Sequence, residues 1–346
     1  MTQANRGTIL VTGGAGYIGS HACKALAEAG YTPVTYDNLS IGNRWAVRWG
    51  PLERGDILDL ARLHEVMRAH RPVGVMHFAA LALVGESMTL PGLYYRTNVT
   101  GAMTLMDACR IHEVAAFVFS STCAIYGTPE TMPIREDTAP RPINPYGASK
   151  LMVERILDDY DMAHGLRHVA LRYFNAAGAD PAGEIGEARD IETHLIPLAL
   201  EAVMGRAPAL TVLGTDYPTR DGTPVRDYIH VSDLAAAHVR AMDRLLAGGA
   251  SCKLNLGSGH GASVREVLEA CARVAGREVP HVTGPRRSGD PPELVADPSA
   301  ALEALGGDLL ARSTLETIID TAFAWHSAAH GRAGATRLQE NTHASQ

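Results

Sequence analysis

The chain has 346 residues, 46% hydrophobic and 20% charged, with a formal net charge of -7 and a pI near 6.1. That allows a large core and about two domains, and the acidic balance argues against an electrostatic grip on nucleic acid or an anionic membrane. The scattered cysteines, Cys23, Cys109, Cys123, Cys252 and Cys271, have no metal-ligand spacing, so neither a disulfide framework nor a zinc site is expected; reduced thiols and a cytoplasmic address are.

The first residues, MTQANRGTILVTGG, lack a basic region leading into a long apolar stretch, so no signal peptide is read. No segment approaches the ~18 uninterrupted apolar residues of a membrane span. From Thr8 onward, short apolar runs, turns and segments of helical periodicity alternate. Strands are predicted at Thr8–Val11, Thr32–Asp37, Val73–Phe78, Ala116–Phe119 and Val169–Tyr173, with helices starting near Tyr17, Leu60, Leu93 and Tyr146. The fold expected is α/β: a Rossmann-type doubly wound parallel sheet over 1–178, with a smaller C-terminal α/β substrate domain over 179–329. Past Gly178 the pattern loosens into AGADPAGEIGEARD. The segment RDYIHVSDLAAAHVRAM reads as a strand, an N-capping Ser232 or Asp233, and a helix. Its residues 226–245 are free to return to the first domain, and the polar tail 330–346 is expected to fray.

Gly13, Gly16 and Gly19 follow the first strand directly and open a helix. That context allows a tight turn, close approach of a pyrophosphate and a helix N-terminus facing it. Asp37 ends the next strand, where a carboxylate would accept from ribose hydroxyls and repel a 2′-phosphate, which favours NAD over NADP. A plain turn residue before Asn38 is the competing reading. Asp56, in the turn Gly55-Asp56-Ile57, carries a weaker signal of the same kind.

Tyr146 and Lys150 stand four apart in YGASK, on one helix face. A lysine ammonium beside a phenol favours the phenolate, so Tyr146 is the candidate base. Ser120, Ser121 and Thr122 lie at the carboxyl end of the fourth predicted strand, where open α/β sheets bind ligands.

The glycine pattern, FVFSSTCAIYG, PYGASK, ALRYFNAAGA and GTPVRDYIHVSDLA together resemble the extended short-chain dehydrogenases, specifically the UDP-glucose/UDP-galactose 4-epimerases, from about Thr8 to Trp325. The resemblance implies that Tyr146 is the catalytic base and acid. It implies that Lys150 lowers the Tyr146 pKa and holds the nicotinamide ribose, and that Thr122 assists at the sugar 4-hydroxyl. It places Tyr17, Ile18, Asp37, Asn38, Asp56, Ile57, Phe78, Ala79, Ala80 and Phe174 around NAD. Asn175, His194, Leu195, Arg226, Arg287 and Asp290 fall on the UDP portion of a UDP-sugar, and Leu294 falls beside the hexose C2.

Two positions depart from the family pattern: Ala82 stands where a lysine contacts the cofactor, and His194 where an asparagine is frequent. Donation to a diphosphate oxygen and capping of a turn are both open to His194. No metal is expected. The resemblance also implies a homodimer through helices near 93–110 and 147–162. A 4,6-dehydratase is disfavoured because Cys123 and Ala124 stand where it needs an acid pair. A keto-reductase, an epimerase of UDP-N-acetylhexosamines or UDP-pentoses, and a silent NAD-binding scaffold are the remaining alternatives.

Overall fold

The computed structural model describes residues 6–287 and 289–328; the predicted tail 330–346 lies outside them. The first half runs β1 (Thr8–Thr12), α1 (Tyr17–Glu28), β2 (Thr32–Asp37), β3 (Leu52–Arg54), α2 (Leu60–His70) and β4 (Gly74–His77). It continues through α3 (Val84–Thr89), α4 (Pro91–Tyr94), a π-helical turn (Tyr95–Thr100), α5 (Gly101–Ile111), β5 (Ala116–Thr122), α6 (Pro145–His164) and β6 (Arg167–Tyr173). Then come β7 (Asn175–Ala177), α7 (Leu195–Val203), β8 (Leu210–Leu213), β9 (Val225–His230), α8 (Val231–Leu246), β10 (Cys252–Leu256) and β11 (Gly261–Ser263). The chain closes with α9 (Val264–Ala275), β12 (His281–Gly284), β13 (Glu293–Leu294), α10 (Ser299–Leu305) and helical residues 315–328.

A seven-stranded sheet has the order β10-β6-β5-β4-β1-β2-β3, with every neighbouring pair parallel. Its strands are apolar throughout because both faces are covered. On one face α1, α8 and α10 bury Ala22, Leu26, Leu234, Met242 and Ala301 against it. On the other, α2, α5 and α6 bury Leu63, Met67, Leu105, Val153 and Leu157. Smaller mixed sheets, β11-β9-β13 with β7, and β12-β8, surround a separate core that includes Leu200, Val203, Val267 and Ile319.

The helix carrying Tyr146 has strong end signals. Asn144 caps α6 by accepting from the Gly147 N–H at 2.8 Å, Pro145 occupies its first turn, and Gly165 ends it at φ +70°.

The segment after Arg226 divides between the two parts. β9 pairs with β7, β11 and β13, whereas α8 lies against α1 and β10 joins the large sheet beside β6. The cap of α8 is His230, not Ser232 or Asp233: its Nδ1 accepts from the Ser232 N–H at 3.1 Å. Asp233 is drawn away because its carboxylate accepts from the Arg312 N–H and the Ser313 hydroxyl, at 2.7 and 2.8 Å. β10 escapes a sequence reading because CKLNL is short and carries two polar residues. All five cysteines are free, and no described helix is long and apolar enough to cross a membrane.

Candidate active site

The loop after β1 is shaped for a pyrophosphate. Gly13 has φ +74°, and a Cβ there would lie 2.6 Å from the Ala79 nitrogen; one at Gly19 would strike the Gly13 carbonyl. Gly16 begins α1 with no side-chain cap, so the first N–H groups face outward, as an anion requires.

Asp37 closes β2, where burial holds its carboxyl above the ordinary range. Its oxygens accept from the Ala15 and Leu39 N–H groups at 3.0 and 2.8 Å, tying the glycine loop to the strand. A carboxylate offers about four acceptor sites, which leaves capacity for ribose hydroxyls. Asn38 donates to Asp56 at 3.0 Å, and Asp56 also accepts from the Leu58 N–H at 2.9 Å. These features fit an adenine dinucleotide.

Other predicted cofactor residues shape this crevice less directly. Ile57 is a core residue, and Ile18 packs against the core under α1. Phe78 stacks on His238 at 4.6 Å, and Phe174 clusters with Ile125 and Tyr126. Tyr17 donates its hydroxyl to the Gly178 carbonyl at 2.6 Å, joining α1 to the start of the second part. The loop of Ala79, Ala80 and Ala82 is fastened at Leu81, whose N–H and carbonyl both bond the Asn98 amide, at 2.9 and 3.0 Å.

Thr122, Tyr146 and Lys150 come together at the carboxyl end of β5. Thr122, whose Oγ1 accepts from the Ala124 N–H at 3.1 Å, lies close enough to Tyr146 to act on its phenol. Lys150 Nζ lies 6.0 Å from the Tyr146 ring centroid. Burial pushes the Tyr146 phenol well above its ordinary value, assisted by Tyr173, while Thr122 opposes it. The Lys150 ammonium donates to the Ser120 carbonyl at 2.8 Å, and burial brings Lys150 down to about 7. Burial thus disfavours the charged form of each group, raising the phenol and lowering the ammonium.

On the substrate side, Arg226 and Leu294 are neighbours across β9 and β13. Arg226 Nη2 donates to Asp290 at 2.6 Å and to the Pro291 carbonyl at 2.9 Å. Arg226 also acts electrostatically on Cys123, next to Thr122, whose thiol burial pushes up to about 12. Asn175 spends its amide on the Asp227 carbonyl at 3.0 Å, holding β7 to β9. Arg287 is exposed, and no side-chain partner is seen for it among the described residues.

His194 precedes α7 without capping it by its side chain; Nδ1 meets Glu187 at 2.7 Å. Glu187, Glu192 and His194 bring potential ligand atoms within 4.8 Å of one another, but Glu187 also accepts from Arg189 at 2.8 Å, so the cluster satisfies itself. Leu195 opens α7 and packs on the second core.

Several residues at the site escape a sequence reading. Asn98, in the π-helical turn, joins the 79–82 loop to α6 through Ser149 at 3.0 Å. Glu154 and Arg172 form a buried pair at 2.7 Å under the catalytic face. Two signals point to them: Glu154 continues the spacing of Tyr146 and Lys150, and Arg172 interrupts an apolar strand.

Residues 9–257 match the model of the NAD dependent epimerase/dehydratase family. The chain is 53% identical over 320 residues to a UDP-glucose 4-epimerase of Rhizobium leguminosarum bv. trifolii, covering 92% of this chain and 97% of that protein. Among solved structures it resembles the UDP-glucose 4-epimerase of Brucella ovis in complex with NAD, at 55% identity and a TM-score of 0.90, covering 92% and 98% of the two chains. It also resembles that of Bifidobacterium longum in complex with NAD+ and UDP, at 37% identity and a TM-score of 0.87, with the same coverages.

Proposed function

The chain belongs to the NAD dependent epimerase/dehydratase family, and we propose a division of labour among its residues for the reaction it carries out, the NAD-dependent interconversion of UDP-glucose and UDP-galactose at C4. NAD, when bound at the glycine loop, supplies the acceptor and then the donor of a hydride at the sugar C4. Tyr146 takes the proton of the 4-hydroxyl, keeps it while the 4-keto sugar turns over, and returns it. Thr122 orients the sugar oxygen toward Tyr146. The single observation that carries this assignment is the convergence of Thr122, Tyr146 and Lys150 at the carboxyl end of β5, with Lys150 Nζ 6.0 Å from the Tyr146 ring centroid and held by the Ser120 carbonyl at 2.8 Å.

Turning the ketone requires a firm hold on UDP and a loose one on the hexose, so binding energy belongs at the nucleotide end. Arg226, Arg287, Asp290 and Asn175 supply it; guanidinium forks suit diphosphate oxygens. The Asp290 carboxylate and the Pro291 and Val225 carbonyls fix the Arg226 guanidinium in place for the diphosphate. Elimination across C5–C6 would need an acid after Thr122, and a Cys123 thiol pushed up to about 12 cannot serve.

We place the enzyme in the cytoplasm as a homodimer joined through α5 and α6. The apolar side chains Leu93, Met103 and Met152 stand 45%, 40% and 46% exposed on those helices and the turn before them, more than a solvated face needs. The test of function uses the protein as isolated, with C4-labelled UDP-glucose and no added NAD. UDP-galactose that retains the label supports the reading; a 4-keto product, or a need for stoichiometric NAD, overturns it.

A further inference from the structure

Tyr146, Lys150 and Glu154 occupy successive turns of one face of α6, and consecutive residues of β5 meet them. Thr122 lies beside Tyr146 and acts on its phenol, and the Ser120 carbonyl accepts from Lys150 at 2.8 Å. Ser121 donates its hydroxyl to Glu154 Oε1 at 2.5 Å. The third contact is reinforced from β6, where Arg172 is the register partner of Ser121. Its Nε and Nη2 donate to Glu154 at 3.0 and 2.7 Å. Nη1 donates to the Tyr126 hydroxyl at 2.8 Å and the Glu136 carbonyl at 3.3 Å, and Tyr126 in turn donates to Asn255 at 2.8 Å. Glu154 and Arg172 are 1% and 6% exposed. The sheet and α6 enclose both.

Stability does not explain this pair, since buried ion pairs are often no better than apolar residues of equal volume; fixing register is their best-attested use. Val153 and Leu157 already bury α6 on the sheet, but apolar contact is non-directional. A guanidinium fork on a carboxylate fixes distance and angle together.

We propose that Glu154 and Arg172 are positioning residues for epimerisation: their ion pair locks the rotation and height of α6 on β5 and β6, and so sets where the Tyr146 phenol meets Thr122 and the sugar 4-hydroxyl. The proposal rests on the reading of Tyr146 as the proton-transfer group. A misplacement of about 1 Å at reacting groups costs on the order of a hundredfold in rate, so a small drift of α6 is enough.

The test replaces both charges with apolar residues, Glu154→Leu with Arg172→Met, and compares melting temperature, bound NAD, KM for UDP-galactose and kcat with the unaltered holoenzyme. The expected result is a folded, NAD-loaded protein with KM near its starting value and kcat lower by about ten- to one-hundred-fold. Full kcat in the double variant overturns the proposal, and so does a loss of bound NAD together with a rise in KM, which would mark general support of the fold. Should the double variant not fold, Arg172→Lys decides: it keeps the charge and loses the fork, and an unchanged kcat overturns the proposal. Tyr146→Phe is measured alongside; retained activity there defeats the Tyr146 reading itself, a failure distinct from loss of the register effect.

Discussion

Lys150 donates its ammonium to the main-chain carbonyl of Ser120 at 2.8 Å, with Phe119 beneath it at 4.9 Å, and makes no carboxylate ion pair among the described residues. The cation is thus fixed from the sheet, in a pocket that also keeps His77 neutral: burial, with Lys150 adding to it, takes that imidazole down to about 3. A positive charge is therefore held there at a desolvation cost.

The consequence for stability can be measured. Burial lowers Lys150 from 10.5 to about 7, so the unfolded chain binds the proton more tightly, and between about 7 and 10.5 stability rises with pH. Lys150→Met should therefore stabilise the cofactor-free protein at neutral pH by a few kcal/mol. The gain is on the order of 1.4 kcal/mol for each pH unit separating the folded and unfolded pKa, less about 1 kcal/mol for the lost hydrogen bond. Melting temperatures of both proteins across pH 7–10 check this. The gap should close as pH rises, and a gap independent of pH would exclude the charge as its cause.

Tyr146→Phe should lower kcat by about 10²–10⁴ while NAD stays bound, because the ring still packs and only the proton-carrying oxygen is gone. Turnover and the absorbance of bound cofactor in the same preparation test it; wild-type turnover would remove Tyr146 from the reaction.

Arg287→Ala should weaken UDP binding about ten- to one-hundred-fold, the worth of a charged hydrogen bond. The exposed Arg287 side chain follows β12, in the smaller part of the fold, whereas the glycine loop follows β1 in the large sheet, so NAD affinity should hold. Calorimetric titration with UDP measures the first quantity, and unchanged affinity would exclude Arg287 from the diphosphate site.

Leu294 packs partly against Ile125, Tyr126 and Phe174 and neighbours Arg226 across the strand pair. A branched side chain of that size should leave UDP-galactose the better substrate and UDP-N-acetylgalactosamine a slower one. Leu294→Tyr should then suppress the acetylated substrate selectively, since overfilling a packed wall costs about 1–3 kcal/mol. Equal loss with both sugars would show that Leu294 supports the site without gating the C2 substituent.

Local rules make the first half of the chain legible. A strand followed by Gly13, Gly16 and Gly19, and a helix placing Tyr146 and Lys150 on one face, depend on residues close in sequence, so spacing alone locates them. The five strands read from apolar runs all lie in the large sheet, because doubly covered parallel strands must be apolar.

What spacing cannot carry is anything set by burial or by partners distant in sequence. Tyr146 and Lys150 are neighbours as their spacing predicts, but the desolvation each meets depends on how the whole pocket excludes water. Likewise His230 caps α8 in place of Ser232 or Asp233 because residues 312–313 claim Asp233. Glu154 can be placed beside Lys150 from sequence, but its partner Arg172 lies on another element, and only the packing of α6 across β5 and β6 brings the two together. Sequence by itself determined which chemistry-bearing groups share a helix face or end a strand, since helix and strand periodicity are local. Tertiary structure alone decided which of them are charged, which are already paired and which stand free to meet a substrate, because solvation and long-range hydrogen bonding exist only once the layers close.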